Sequence, residues 1–506
     1  MPSRRIAKPP SPLRRFHDEH VCMKRIAIVG GGISGLSAAF YLEKARASGA
    51  ELQYALFESG QRLGGSMYSD RVEDCLVEAG PDSFLTEKPW ALTLCKELGI
   101  ADQLIGSYDS QRKTYIVVHG HLVVMPDGLM FMVPTRLLPT AFSPLFSWGT
   151  KIRMARELLH PPRPMHDDET VAELVERHFG AEVVDRLADP LLSGVYGGDA
   201  AKLSARAVLP RFVEMEEKYG SLSRAMLAVH KKMTQASHKQ PARPLFTSLK
   251  GGMQQLVDAI ISRLDPGSTH LRSHVRRVYP ENGGWRVSIE LTGDERFDAV
   301  ILATPANVAG VLLDGVDRSL ARNLLEITYS SSVTVTLGYY MDQLKGLPPG
   351  FGFLVPRSEG TRMLACTFVH NKFPHRAPAG KGILRCFLGG ARDEAVLALT
   401  DDEMLETVYR ELRDIVRLEA RPIFARVYRW RGAMAQYEPG HIGRVARIEQ
   451  RVSEIPGLAL AGNAYHGIGV PDCIRSGMEA ANALAQVEVE ALSPQGQRTS
   501  TADARG

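Results

Sequence analysis

The run Lys24-Arg25-Ile26-Ala27-Ile28-Val29-Gly30-Gly31-Gly32-Ile33-Ser34-Gly35 puts a glycine cluster between a short strand of β-branched residues and a helical pattern over 34–48. A second strand run at 53–57 completes a βαβ unit. Gly30 permits the tight turn, Gly32 lets a pyrophosphate approach the backbone, and Gly35 lets the helix sit close to the strand. Ile33 and Ser34 open the helix, whose free amides face phosphate. Glu58 closes the second strand, where it is positioned to accept hydrogen bonds from an adenosine ribose.

Around this unit the composition removes several functional classes. A chain of 506 residues exceeds what one hydrophobic core usually organises. A net charge of +4 with 44% apolar and 23% charged residues excludes wholesale disorder and a strongly basic nucleic-acid binder. The six cysteines are scattered, with no C-x-x-C pair and no clustering with His, so they read as free thiols in a reducing compartment and no metal site is expected. Residues 1–22 are basic and lack an apolar run of signal-peptide length; they read as a disordered leader, with Met23 a second candidate start. Twenty consecutive apolar residues occur nowhere, so no bilayer crossing is expected. The stretch 122–154 carries Leu129, Met130, Phe131, Met132, Phe142, Phe146 and Trp148 beside Arg136, Lys151 and Arg153. That composition suits a surface dipping into a bilayer interface, against the alternative of an irregular segment packed as core.

Strand alternation returns at 285–291 and 298–303, and 333–340, 363–369 and 382–388 read as a separate antiparallel sheet. Residues 170–229 are mostly helical in pattern and open with a capping box, Thr170-x-x-Glu173, a device repeated at Thr400-x-x-Glu403. A last helix is expected over 475–492, with a loose tail over 493–506.

After the acid comes Glu58-x-x-x-Arg62-Leu63-Gly64-Gly65, whose Gly-rich loop passes beside a flavin's phosphates and ribitol. This extension resembles the amine-oxidase and phytoene-desaturase superfamily of FAD proteins. Further motifs are Val77-Glu78-Ala79-Gly80-Pro81-Asp82-Ser83-Phe84-Leu85, Leu192-Ser193-Gly194-Val195-Tyr196-Gly197-Gly198-Asp199, Gly350-Phe351-Gly352-Phe353-Leu354 and the closing Gly462-Asn463 through Ile468-Gly469-Val470-Pro471-Asp472-Cys473-Ile474. Jointly they resemble the oxygen-dependent protoporphyrinogen oxidase family over about 24–492.

The resemblance implies a Rossmann-type FAD-binding domain built from discontinuous segments (23–90, 245–315 and 440–492). It also implies an antiparallel-sheet substrate domain (91–120 and 316–439) and a helical membrane-associated domain (121–244). The implied protein is a cytoplasmic, peripherally membrane-associated enzyme that turns protoporphyrinogen IX into protoporphyrin IX with noncovalent FAD and molecular oxygen; relatives often form homodimers, and nucleic acid is not a partner. Gly80, Pro81, Asp82, Ser83, Val275, Gly462, Ile468, Gly469 and Val470 join Gly30, Gly32, Ile33, Ser34, Gly35, Glu58, Arg62, Gly64 and Gly65 as candidate cofactor residues. Phe353 and Leu354 are candidate walls for a macrocycle, Gly197 and Gly198 line its cavity, and Lys88 is the candidate cation for a propionate. Cofactor chemistry carries the reaction, so no catalytic side chain is assigned. The alternatives are a coproporphyrinogen III oxidase using the same chemistry, an amine oxidase with Tyr428 and Trp430 flanking the flavin, and a flavin-binding scaffold without turnover.

Overall fold

The computed structural model describes residues 23–126, 129–130, 133–134, 142–162, 168–236, 244–290 and 292–485. The leader and the tail lie outside them, as do Phe131, Met132 and Arg136. Strand β1 (Lys24–Val29), helix α1 (Ile33–Ala47) and strand β2 (Leu52–Phe57) form the βαβ unit. Three distant pieces of chain extend it: β3 (Thr269–His270), β4 (Ala299–Leu302) and β5 (Leu458–Leu460). The sheet order is β3-β2-β1-β4-β5, with every pairing parallel. A parallel sheet is covered on both faces, which is why these strands are near-continuously apolar. Ile26, Ile28, Leu56 and Ile301 pack under α1, while Ala27, Val29, Phe57 and Leu302 face the other core.

The last helix, α2 (Val470–Ala485), starts five residues earlier than 475, because Pro471 suits a first helical turn. It crosses α1 so closely that a Cβ on Gly477 would lie 2.1 Å from the Ser34 carbonyl oxygen.

A second sheet has seven strands, in the order Phe424–Ala435, Tyr329–Tyr340, Lys381–Gly389, Met363–Phe368, Gly352–Leu354, Thr114–Val118 and His121–Val124. It is antiparallel except where Gly352–Leu354 runs parallel to Thr114–Val118. Helix Asp401–Val416, opened by the expected capping box at Thr400 and Glu403, lays Met404, Val408 and Leu412 on Val333, Val335 and Leu337. The opposite face keeps Thr334 and Arg385, which donate to the Ala79 carbonyl.

The expectation of a separate membrane-facing helical domain is corrected in two respects. His121–Val124 belongs to the seven-stranded sheet, and the helices after Thr170 share one continuous core with β1 and β4 through Val171, Leu174, Val29 and Leu302. Among the described residues no helix is long and apolar enough to cross a membrane.

Within those helices sits a buried polar cluster. His178 lies 2.9 Å from Glu157 through Nδ1 and 3.3 Å from Glu216 through Nε2. Glu157 also accepts from Ser221 Oγ and from the Leu222 and Ser223 amides, and Arg177 pairs with Glu169 and Glu216. Burial pushes the His178 value down, but the two glutamates outweigh it and hold the imidazole above its ordinary range. Burial opposes the ionised Glu216, yet His178 and Arg177 bring its carboxyl down to about 2. A raised histidine contributes stability that is complete below its unfolded value and lost as pH rises through the folded one. A lowered carboxylate contributes above its unfolded value and is lost as pH falls. Both contributions are therefore present together from roughly pH 5 to 6.5. The melting temperature should peak in that window and decline on the alkaline side, and His178→Gln should flatten the alkaline decline in thermal melts across pH.

Candidate functional site

The glycine cradle is built for two different reasons. Gly30 has φ 107°, and a Cβ there would meet the Ala303 carbonyl oxygen at 2.6 Å; a Cβ on Gly35 would lie 1.9 Å from the Gly30 oxygen. Those two glycines are required by the protein's own packing. Gly32 is not: its φ is −70°, and an added Cβ meets nothing within 4 Å. Open space beside an otherwise unnecessary glycine, at the start of α1, fits a phosphate group. Ile33 and Ser34 are the first residues of that helix.

Glu58 stands at the end of β2, where its carboxylate accepts from the amides of Gly31 (2.7 Å) and Gly60 (2.6 Å). Ser273 donates its amide to the Glu58 carbonyl, which brings Val275 to the same end of the sheet. Arg62 turns inward and donates to the carbonyls of Leu63, Met67 and Gly65, so it shapes the Gly64-Gly65 loop from behind. Gly64 donates its amide to the Gly31 carbonyl at 2.8 Å, closing that loop onto the cradle.

Residues 78–83 form a strap between the two sheets. The Ala79 carbonyl accepts from Thr334 Oγ1 at 2.9 Å, Trp430 Nε1 at 2.9 Å and Arg385 at 3.3 Å. Gly80 fits because a Cβ there would lie 1.9 Å from the Ser66 carbonyl oxygen, and the Gly80 carbonyl accepts from Arg385. Asp82 pairs with Lys372 at 3.0 Å, and Ser83 donates to Asp82. Burial would raise the Asp82 carboxyl, but Lys372 and Arg385 hold it well below the usual range. Glu78 pairs with Arg376 at 2.8 Å and accepts the Met253 amide; its own value is raised by burial. Lys372, Arg376 and Arg385 were invisible as partners in the sequence, being more than 280 positions from the acids they neutralise.

The closing loop meets the same seam. Tyr437 donates to the Asn463 carbonyl at 2.7 Å and accepts the Gly467 amide at 2.9 Å. Gly462 donates its amide to Ser476 Oγ, and Gly469 donates to Asp472 at 3.2 Å, one residue before α2 begins at Val470. Ile468 is half-buried between them. Cys473 is buried beside Ser34, and burial pushes its thiol up to about 12. His466 is exposed and pairs with Glu449. Tyr437 stacks on His441 at 3.9 Å, and burial drives that imidazole down to about 4, keeping it neutral.

The substrate-side residues fare unevenly. Gly197 has φ 55° and packs on Ser330 and Met434 of the strand pair that holds Ala79, while Gly198 packs on Leu203 and on Gln436, the residue after the edge strand of that pair. Leu354 lies 3.8 Å from where a Gly194 Cβ would be. Phe353 is corrected as a wall: strand alternation sends it to the opposite face, where it is 1% exposed and packs edge-to-face on Phe368. Lys88 is corrected as a free cation, since its Nζ lies 2.5 Å from Asp472 Oδ2. The five described cysteines are free and buried. Ligand atoms of Glu157, His160 and His178 lie within 4.8 Å of one another, but Glu157 and His178 spend theirs on the hydrogen bonds given above.

The chain matches the flavin containing amine oxidoreductase family over residues 33–485 and belongs to it. It is an oxidoreductase that carries FAD, and the open space beside Gly32 fits a phosphate of that cofactor. Within the family it is 34% identical over 465 residues to the coproporphyrinogen III oxidase of Bacillus subtilis (strain 168), covering 90% of this chain and 97% of the relative. It is 30% identical over 480 residues to the chloroplastic protoporphyrinogen oxidase 1 of Arabidopsis thaliana, covering 90% and 86%. A crystal structure from Exiguobacterium sp. 255-15, of a protein assigned as a protoporphyrinogen oxidase, is 30% identical with a TM-score of 0.81 over 92% of this chain and 99% of that one.

Gly32→Val separates binding from folding. The variant should melt like the wild type in the flavin-free form but lose bound FAD, read as the visible absorbance that survives gel filtration.

Proposed function

We propose that this flavoprotein oxidises a porphyrinogen to the corresponding porphyrin in haem biosynthesis, with molecular oxygen as the terminal oxidant and hydrogen peroxide as the by-product. The observation that carries the reading is full-length likeness to porphyrinogen oxidases from bacteria and a plant. The seam supports it, because the motifs at 77–85 and 192–199 meet the same two strands. Coproporphyrinogen III is favoured as substrate by the 34% identity to the Bacillus enzyme, and protoporphyrinogen IX is the second reading, favoured by the plant relative. An amine oxidase is disfavoured because Trp430 is committed to the Ala79 carbonyl rather than free to steer an amine.

Bound flavin supplies a two-electron acceptor, so a porphyrinogen losing six hydrogens returns to it three times. The chain's own part is positioning and exclusion of water. In this reading Gly30, Gly32 and Gly35 hold the pyrophosphate, Glu58 and Val275 the adenosine end, Arg62 shapes the Gly64-Gly65 loop, and 80–83 with Gly462 and 468–470 edge the ring. Leu354, Gly197 and Gly198 form the wall for the macrocycle, and the buried Tyr437 and Tyr465 keep water from it. The flavin-holding part then comprises 23–90, 245–315 and 440–492, and the substrate-holding part 91–120 and 316–439. A homodimer belongs to the same reading as the family's common assembly.

Peripheral membrane contact is proposed for the face around helix Trp148–Glu157. Trp148 is 71% exposed with Lys151 4.6 Å over its ring, and Phe142, Ile152 and Leu159 are exposed beside it. Apolar side chains flanked by lysine suit an anionic interface. Trp148→Glu with Ile152→Glu should reduce co-sedimentation with anionic liposomes several-fold; unchanged partitioning would remove this face from the account. For the reaction itself, porphyrin fluorescence should grow faster than spontaneous oxidation when FAD-loaded protein meets coproporphyrinogen III, with a smaller rate for protoporphyrinogen IX. Equal rates would remove the substrate preference, and no enzyme-dependent growth with either would remove the function.

A further inference from the structure

The lysine expected to meet a substrate carboxylate meets one of the protein's own. Lys88 Nζ lies 2.5 Å from Asp472 Oδ2, a contact that spans 384 positions of chain. The Asp472 side chain is 4% exposed, and the same oxygen accepts the Gly469 amide. The closing loop is moulded around this carboxylate: a Cβ on Gly467 would come within 2.6 Å of Oδ2. A second contact keeps the two segments in register, since the Arg475 guanidinium stacks 4.6 Å over Trp90, two residues after Lys88.

Asp472 is the third residue of α2. The start of a helix carries partial positive charge, and a carboxylate placed there cancels it. Negative charge collects on a flavin as it is reduced, and a preorganised positive end beside the ring stabilises that form. An uncompensated Asp472 would oppose reduction, and the Lys88 ammonium cancels that opposition.

We propose that Lys88 is a positioning residue that neutralises Asp472, so that the start of α2 presents net positive potential to bound flavin and favours its reduction. The proposal rests on the flavin site described above and deepens the reading of it. It needs no porphyrinogen, because the balance is internal to the protein and the bound cofactor.

The experiment measures the midpoint potential of FAD-loaded protein by dye-coupled reduction, together with kcat and KM for coproporphyrinogen III. Lys88→Met should lower the equilibrium constant for two-electron reduction about tenfold, about 30 mV for that couple. kcat should fall with it while KM stays within about twofold of the wild type. Asp472→Asn should shift the potential in the opposite direction, and the double variant should return it towards the wild-type value. Lys88→Arg should keep most of it. If Lys88→Met does not retain FAD, Asp472→Asn alone carries the test with the opposite sign. A raised KM with an unchanged potential would overturn the proposal and restore Lys88 as a substrate cation. Failure of the double variant to recover would overturn the pairing. If the porphyrinogen reading fails, the potential measurement still stands. If the flavin-site reading fails, Gly32→Val will retain FAD.

Discussion

Among the links between the two halves of the molecule, one backbone oxygen gathers three donors. The Ala79 carbonyl takes donors from Thr334, Arg385 and Trp430, all on the seven-stranded sheet, while the residues before it continue into the turn that closes on the glycine cradle. The charges flanking it are buried and compensated, Glu78 by Arg376 and Asp82 by Lys372. Removing one member of such a pair typically costs about 3–5 kcal/mol, whereas replacing the whole pair by apolar groups is often neutral. The network therefore specifies where the strap lies more than it adds to stability. The strap lies on the face of the seven-stranded sheet that carries Thr334 and Arg385, which leaves the other face to the helix Asp401–Val416.

Two helix starts then divide the electrostatics of the site. At α1 the first turn carries no acid and no side chain caps it, and Gly32 leaves open space there that fits a phosphate group. At α2 the first turn carries Asp472, already neutralised by Lys88, so the pair leaves the helix end available without demanding an anion. On the proposed reading, one end anchors the cofactor and the other adjusts its electron affinity.

The elements legible in the sequence were those whose cause is local. The βαβ unit was readable because its glycines, strand periodicity and terminal acid lie within 35 positions, and the structure moves its helix by only a residue at each end. Both capping boxes were readable for the same reason. What was not legible depends on distant partners. Lys88 carries nothing in its neighbourhood to signal Asp472. Phe353 and Leu354 read alike until strand register sends them to opposite faces. The seven-stranded sheet was half readable: its central strands alternate cleanly, but its edge at Phe424–Ala435 is rich in arginine, and its Thr114–Val118 strand pairs in parallel with a strand more than 200 positions later.

The central claim is that the cradle, the strap and the closing loop hold FAD where a porphyrinogen can reduce it. Its most direct test is an anaerobic titration of the FAD-loaded protein with coproporphyrinogen III, following flavin absorbance and porphyrin absorbance together. The account predicts that the flavin bleaches as porphyrin appears, about three flavins for each porphyrinogen consumed. A flavin that stays oxidised with both coproporphyrinogen III and protoporphyrinogen IX, yet bleaches normally with dithionite, would contradict it.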